Sequence, residues 1–345
     1  MARSVSIIDR PAAPEFVRFP AGTPPRFLVT IDTEEEFDWA APLRREGHGL
    51  ATIPSFARFV QFCESFGVVP LFLIDYPIAT APATAEVLGP ALAAGKAEIG
   101  VHLHPWVNPP FDEDLSEFNS FPGNLPEAVE REKFRDLRDA IRANLGVAPQ
   151  IYRAGRYGAG PNTAAILRET GIAIDTSVRA LFDYSSTGGP NYRDHPRRPY
   201  WLGEDKRLLE LPVTTVYGGL LRRWGAQIYP QLWRGPRLRG AMAHARLLER
   251  IPLTPEGITP AEAKRGIDAA LAENLPLLTF SFHSPSLAPG HTPYVRTPAD
   301  LDVFYDWWRE IFAHLARRGV AGTSVRDLAA SLGLAQSALA EPALA

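Results

Sequence analysis

The chain has 345 residues, 46% hydrophobic and 22% charged, with a formal net charge of −3. This is globular composition with material for a large core, and the charge speaks against nucleic acid as the main partner. One cysteine, Cys63, excludes a disulfide framework and a thiolate zinc site. With no signal pattern and no bilayer-length apolar run, a reduced, cytoplasmic setting is expected.

Residues 1–25 hold five prolines without a clear period and are read as an extended arm. Residues 27–31 are apolar and β-branched, as a strand buried on both faces requires. They end in Asp32-Thr-Glu34, inside an acidic run that continues to Asp38. Helical spacing over 54–66 follows, with Gly67 as its stop. A strand at 68–74 ends at Asp75, and a helix at 84–94 ends at Gly95. Residues 97–101 form the next strand, which delivers His102 and His104 before Pro105. A long loop rich in Pro, Asn and Phe occupies 105–126, and its aromatics argue against disorder.

The second half repeats the alternation. A charged helix at 126–145 leads to a strand at 150–153 ending in Arg153, then Arg156 and Tyr157. A helix at 161–170 precedes a strand at 172–175 ending in Asp175. Strands are expected at 208–213 and 277–282, the latter ending in His283, with helices at 259–273 and 298–318. A short strand at 320–324, a closing helix at 327–332 and an Ala-rich tail at 334–345 complete the chain.

Strand–helix alternation implies a parallel sheet. The polar residues with chemical potential, Asp32, Asp75, His102, Arg153, Asp175 and His283, fall at the C-terminal ends of successive strands. In a (β/α) barrel those ends converge on one face, where active sites form. The expectation is one α/β barrel domain over 26–333, with an insertion at about 214–258.

Residues i and i+2 of a strand share a face. His102 and His104 therefore offer two imidazoles on one side, and Asp32 and Glu34 two carboxylates. Two histidines and a carboxylate with an open position suit hydrolytic zinc or non-haem iron. The remaining carboxylate then suits a general base, His283 a general acid, and Arg153 a cation that keeps the base ionised.

These residues resemble the polysaccharide deacetylases, the NodB-homology or carbohydrate esterase 4 group. Thr30-Ile-Asp-Thr-Glu34 resembles the first motif of that family, and Glu98-Ile-Gly-Val-His102 the lead-in to the second. Tyr152-Arg-Ala-Gly-Arg-Tyr157 resembles the third and Phe280-Ser-Phe-His283 the fifth. Asp175-Thr-Ser and Leu209-Glu-Leu-Pro-Val213 resemble segments leading to the fourth, whose Asp and Trp have no clear match. The second histidine ligand of the family lies four residues after the first, where this chain has Trp106, so that role is assigned to His104.

The resemblance implies a single deformed (β/α)7 barrel and a divalent metal, most often Zn2+, held by Glu34, His102 and His104. It further implies Asp32 as base, His283 as acid and Arg153 beside the base, with Trp106, Arg156, Tyr157 and Asp175 at the substrate. The reaction implied is removal of an N-acetyl group from an acetamido sugar. The rivals are hydrolysis of another C–N bond, such as a cyclic amide, and a carbohydrate-binding barrel without catalysis.

The insertion carries Arg222, Arg223, Arg234, Arg237, Arg239, Arg246 and Arg250 among Trp224, Tyr229 and Trp233. It reads either as a lid for a diphosphate- or lipid-linked sugar or as a solvated flap. His48, His195 and His291 lie in loops and are read as structural. Oligomeric state is not encoded in any of these patterns.

Overall fold

The computed structural model describes residues 5–38, 41–232 and 235–334. Its strands in chain order are β1 (Glu15–Phe16), β2 (Arg26–Thr33), β3 (Leu71–Ile74), β4 (Glu98–Leu103), β5 (Ile151–Ala154), β6 (Ile174–Asp175), β7 (Tyr200–Leu202), β8 (Leu208–Glu210), β9 (Thr215–Gly218), β10 (Glu249–Pro252), β11 (Leu277–His283) and β12 (Ala321–Gly322). The helices are α1 (Ser55–Glu64), α2 (Tyr76–Thr80), α3 (Pro82–Ala93), α4 (Glu127–Leu145), α5 (Thr163–Glu169), α6 (Gly225–Leu232), α7 (Pro236–His244), α8 (Pro260–Ala272), α9 (Pro298–Arg317) and α10 (Val325–Leu332).

The main sheet runs β1-β7-β8-β6-β5-β4-β3-β2-β11, with β12 added beside β2. From β11 to β8 the pairing is parallel throughout, which gives a curled sheet of seven parallel strands. Strands β8 and β11 do not pair directly. The gap between them is bridged by the Thr214 N–H, which donates to the Thr279 carbonyl at 3.1 Å, and by Ser281 N–H to the Leu253 carbonyl at 3.2 Å. The result is the α/β barrel expected from the alternation of elements, in the deformed seven-stranded form that the family resemblance implies. At its edge the N-terminal segment is laid down by β1, which pairs antiparallel with β7. Strand β7 is absent from the sequence reading, because three residues between Pro199 and Gly203 give too short a period to detect.

Strand parity sorts the core. Leu28, Leu71, Leu73, Ile151, Ile174, Leu209 and Leu277 form one buried cluster inside the barrel. Phe27, Val29, Ile31, Phe72, Ile74, Val101 and Tyr152 belong to the larger cluster between sheet and helices. Continuing the inner parity towards the strand C-termini gives Thr30 and Asp32 on β2, Arg153 on β5, and Thr279, Ser281 and His283 on β11. The lumen thus changes from leucine at one end to ionisable groups at the other.

On β4 the inner residues are Glu98, Gly100 and His102. A Cβ at position 100 would press into the side chains of Leu73 and Ile151, so only glycine lets these neighbours interdigitate there. At the leucine end, Glu98 accepts the Val325 and Arg326 N–H groups at 2.6 and 3.0 Å, and the Ser324 hydroxyl caps Asp327 N–H at 3.0 Å. The first three orphan amides of α10 are thereby satisfied, and Val325 and Leu328 enter the inner cluster as a plug.

Residues 215–252 leave the barrel as a flap, with the antiparallel pair β9–β10 carrying α6 and α7. Leu220, Trp224 and Leu238 are exposed on it, while Tyr217, Tyr229 and Leu248 form its own small core. Trp233 and Arg234 lie outside the described residues, as does most of the expected tail. Among the described residues, no helix is long and apolar enough to cross a membrane.

Candidate metal centre and cleft

Parallel register sets the site. Asp32 on β2 stands opposite His283 on β11, and His102 on β4 opposite Arg153 on β5. All four are inner residues at strand C-termini. Glu34 and His104 continue the same parity one step beyond β2 and β4. The sequence-predicted Asp32, Glu34, His102, His104, Arg153 and His283 are thus brought together around one mouth.

Ligand atoms of Glu34, His102 and His104 lie within 4.8 Å of one another, and all three residues are buried. His104 Nε2 is 3.4 Å and His102 Nε2 4.0 Å from the Glu34 carboxylate. The Nδ1 of His102 lies 3.1 Å from the Arg153 carbonyl, which can only accept, so Nδ1 carries the proton. The Nδ1 of His104 lies 3.1 Å from Glu35 Oε2, which orients that ring in the same way. Each imidazole therefore turns a bare Nε2 lone pair towards Glu34, as a metal ligand backed by a hydrogen-bonded outer group does. The second oxygen of Glu34 is buried with no hydrogen-bond partner, a costly arrangement unless a cation completes it. Burial pushes the Glu34 carboxyl well above its ordinary range, with Glu35, Asp32 and Asp75 adding to the effect of burial and His283 opposing it. Burial also lowers His102 to about 3 and His104 to about 4, so both rings are neutral and able to ligate. The donor set fits a divalent ion of the zinc type.

Behind His104 stands a brace that the sequence reading missed. Glu35, fully buried, accepts Trp106 Nε1–H at 2.7 Å as well as the His104 bond. Asp75 accepts the Glu35 N–H at 2.8 Å and caps α2 through Ile78 N–H at 2.9 Å. Trp106 stacks on His104 with centroids 4.2 Å apart while also walling the cleft. In the sequence Glu35 sits in a run of three glutamates that looks like a solvated turn. A signal was available in the inversion of parity, which points it away from Glu34 and towards Trp106.

Beside the candidate ligands stand two tethered pairs, Asp32 with Arg153 and His283 with Glu256. Arg153, fully buried, bonds Asp32 through Nη1, Ser281 Oγ at 2.8 Å through the same nitrogen, and the Thr176 carbonyl at 3.1 Å through Nε. Burial alone would raise Asp32, but the Arg153 guanidinium, with His102 and His283, outweighs it and holds the carboxyl down at about 2. His283 Nε2 lies 3.9 Å from Asp32, and its Nδ1 donates to Glu256 Oε2 at 2.7 Å. Burial opposes a charge on His283, but Glu256 and then Glu34 overcome it and raise the ring to about 10. Glu256 also accepts the His283 N–H at 3.0 Å and the Ser286 hydroxyl at 2.8 Å. In the sequence it is only the acid of a Thr-Pro-Glu-Gly turn, with nothing to link it to His283.

A cleft of about 670 Å³ opens over these groups, lined by Asp32, Glu34, His102, His104, His283, Trp106, Arg156 and Tyr157 among others. Arg156 and Tyr157 adopt left-handed backbone with φ of 55° and 59°, a strained state that persists where surroundings enforce it. Arg156 rests on the Phe121 ring at 4.4 Å and bonds Glu117 at 3.2 Å. The loop bearing Trp106 is held by buried Lys133, whose Nζ donates to the Pro105 and Asn108 carbonyls at 3.0 and 2.6 Å. Asp175 is the expected substrate residue that the structure places elsewhere. Its parity is opposite to that of Ile174, so it points out of the lumen, fully buried against Glu210 and the Ser177 hydroxyl at 2.7 Å. Burial raises both Asp175 and Glu210, which share a hydrogen bond. His195 pins the arm through the Ile7 carbonyl at 3.2 Å, and His291 lies 3.4 Å from Glu36.

No family model and no curated protein matches the sequence. Among solved structures, the chain is similar to a Mycobacterium smegmatis protein provisionally described as a polysaccharide deacetylase. The identity is 21%, with 97% of this chain and 99% of that chain covered and a TM-score of 0.49. It is also similar to the family 4 carbohydrate esterase of Streptomyces lividans, at 8% identity over 87% and 93% of the two chains and a TM-score of 0.40. A 4-alpha-glucanotransferase from Thermococcus litoralis gives 14% identity, 88% of this chain, 38% of that chain and a TM-score of 0.45. Likeness at this level concerns overall shape, and the chemistry is read from the residues of the site.

Proposed function

We propose that this chain is a divalent-metal-dependent hydrolase that removes the N-acetyl group of an acetamido sugar, as a divergent relative of the polysaccharide deacetylases. The observation that carries the reading is the convergence of two bare Nε2 atoms on a buried Glu34 whose second oxygen has no hydrogen-bond partner, with two tethered acid–base groups beside it. A Zn2+ ion held by Glu34, His102 and His104 would polarise the amide carbonyl and acidify a water.

The chain's own residues supply the proton transfers. Asp32, kept ionised by Arg153, accepts the proton of the attacking water. His283, kept protonated by Glu256, gives its proton to the departing amine, so acetate and a free amino sugar result. Trp106, Arg156 and Tyr157 wall the sugar, and the aromatic faces suit stacking on its ring. The intact acid–base set favours catalysis over a binding-only barrel.

The test is metal content together with acetate release from N-acetylglucosamine oligomers and nucleotide-linked N-acetyl sugars. About one zinc per chain and acetate release are expected. A chain that takes up no zinc, or that holds zinc and releases no acetate from any acetamido sugar, would sink the reading.

A further inference from the structure

The loop that follows β6 packs against Tyr157, a residue of the cleft wall, and carries Arg179. Its guanidinium carbon lies 5.1 Å from the centroid of Tyr157, which lines the cleft, and 4.0 Å from that of Phe182. Tyr184 stacks on Tyr157 at 5.9 Å, and its hydroxyl accepts a long 3.3 Å bond from Arg179 Nη1. Arg179 Nε is buried without a partner. Among the described residues, no carboxylate oxygen comes within 4.0 Å of this guanidinium, whereas Arg153 is ion-paired and Arg156 bonds Glu117. Tyr157 lines the cleft, so the guanidinium stands against the wall of the site. From the flap, Arg250 lies 3.6 Å over the other partner ring, Phe182, and donates to the Leu181 carbonyl at 2.8 Å.

A guanidinium with five donors, fixed in plane by rings and given no carboxylate, is a fork built for a planar or tetrahedral oxyanion. Tyr157 is then shared between the proposed acetyl-cleaving centre and the Arg179 guanidinium. We propose that Arg179 binds an anionic group on the substrate, a phosphate or a carboxylate, beside the acetamido group. This rests on the hydrolase reading for its choice of substrate but not for the anion site itself.

The test is calorimetric titration of the full-length zinc-loaded chain with uridine diphosphate, pyrophosphate and glucuronate, repeated for Arg179→Gln and Arg179→Lys. Either the phosphates or the carboxylate bind the parent, which identifies the source. Affinity falls about ten- to hundredfold in R179Q, and R179K recovers part of it. In kinetics with UDP-N-acetylglucosamine or a glucuronate-containing N-acetyl disaccharide, R179Q raises KM by a similar factor at little-changed kcat. A neutral N-acetylglucosamine oligomer shifts far less.

Parent protein that binds none of the anions overturns the proposal. So does binding that R179Q leaves intact, or an equal loss on neutral and anionic substrates. If R179Q does not fold, R179K decides alone, since its ammonium cannot form the planar fork and undiminished binding in it contradicts the assignment. Arg179-dependent anion binding without acetate release would remove the hydrolase and keep the anion site; acetate release without anion binding would do the reverse.

Discussion

At the two ends of β4 a buried glutamate stands in opposite circumstances. At one end Glu98 is buried, raised by that burial, and satisfied by two backbone amides of α10. At the other, Glu34, just past the end of β2 and two strands away, is buried beside His102 and His104 with one oxygen that has no hydrogen-bond partner. A buried acid with its partners present in the fold is a structural device. A buried acid whose neighbours are bare imidazole nitrogens is a ligand set, and function is the reason to look there first.

Breaking the contrast at the site end should give the largest effect. His102→Ala/His104→Ala, or Glu34→Ala, should abolish zinc uptake as read by elemental analysis and lower acetate release by roughly a thousandfold or more. Glu256→Gln should leave zinc bound but lower kcat by about 10²–10⁴-fold. In the metal-free protein the His283 ring should then titrate well below about 10, because its strongest opposing charge is gone. An unmoved His283 in NMR would remove Glu256 from the mechanism.

Glu130 on α4 sharpens the comparison from outside the barrel. Burial raises it from 4.5 to about 7, with Thr163 as a partner. Between those values the folded chain holds a proton that the unfolded chain has released, so stability from this group is present below pH 4.5 and lost as pH rises through 7. Relative to the parent, Glu130→Gln should gain stability over that window, by at most about 3 kcal/mol in denaturant melts. Glu98→Ala should cost about 1–2 kcal/mol through the lost cap of α10, with zinc binding unchanged. Loss of zinc in that variant would erase the distinction between the two ends.

The sequence made this contrast only half visible. Residues at strand ends with inner parity, Asp32, His102, Arg153 and His283, were legible because period two and the parallel alternation project them to one face. Glu34 and His104 follow from the same parity. Asp175 also ends a strand, but one residue out of phase, and phase could not be fixed for a strand of two residues. Glu35 and Glu256 act through atoms of distant residues, and a partnership across 69 or 27 positions leaves no periodic trace. Nor could the sequence show how much of the insertion folds back: Arg250 packs on Phe182 and bonds the Leu181 carbonyl in the loop after β6, whereas Trp224 faces solvent.

Arg153 has a mechanical consequence. From β5 it grips Asp32 on β2, Ser281 on β11 and Thr176 just past β6, so one rigid, planar group ties four points around the rim. It acts as the hub of a wheel whose spokes cannot lengthen independently. The seam between β8 and β11, already bridged by the Thr214–Thr279 and Ser281–Leu253 backbone bonds, gains a further tie through Ser281. With the rim tied, admission of a ligand is left to the loops and the flap, and the spacing between Asp32 and His283, the proposed base and acid, is held fixed.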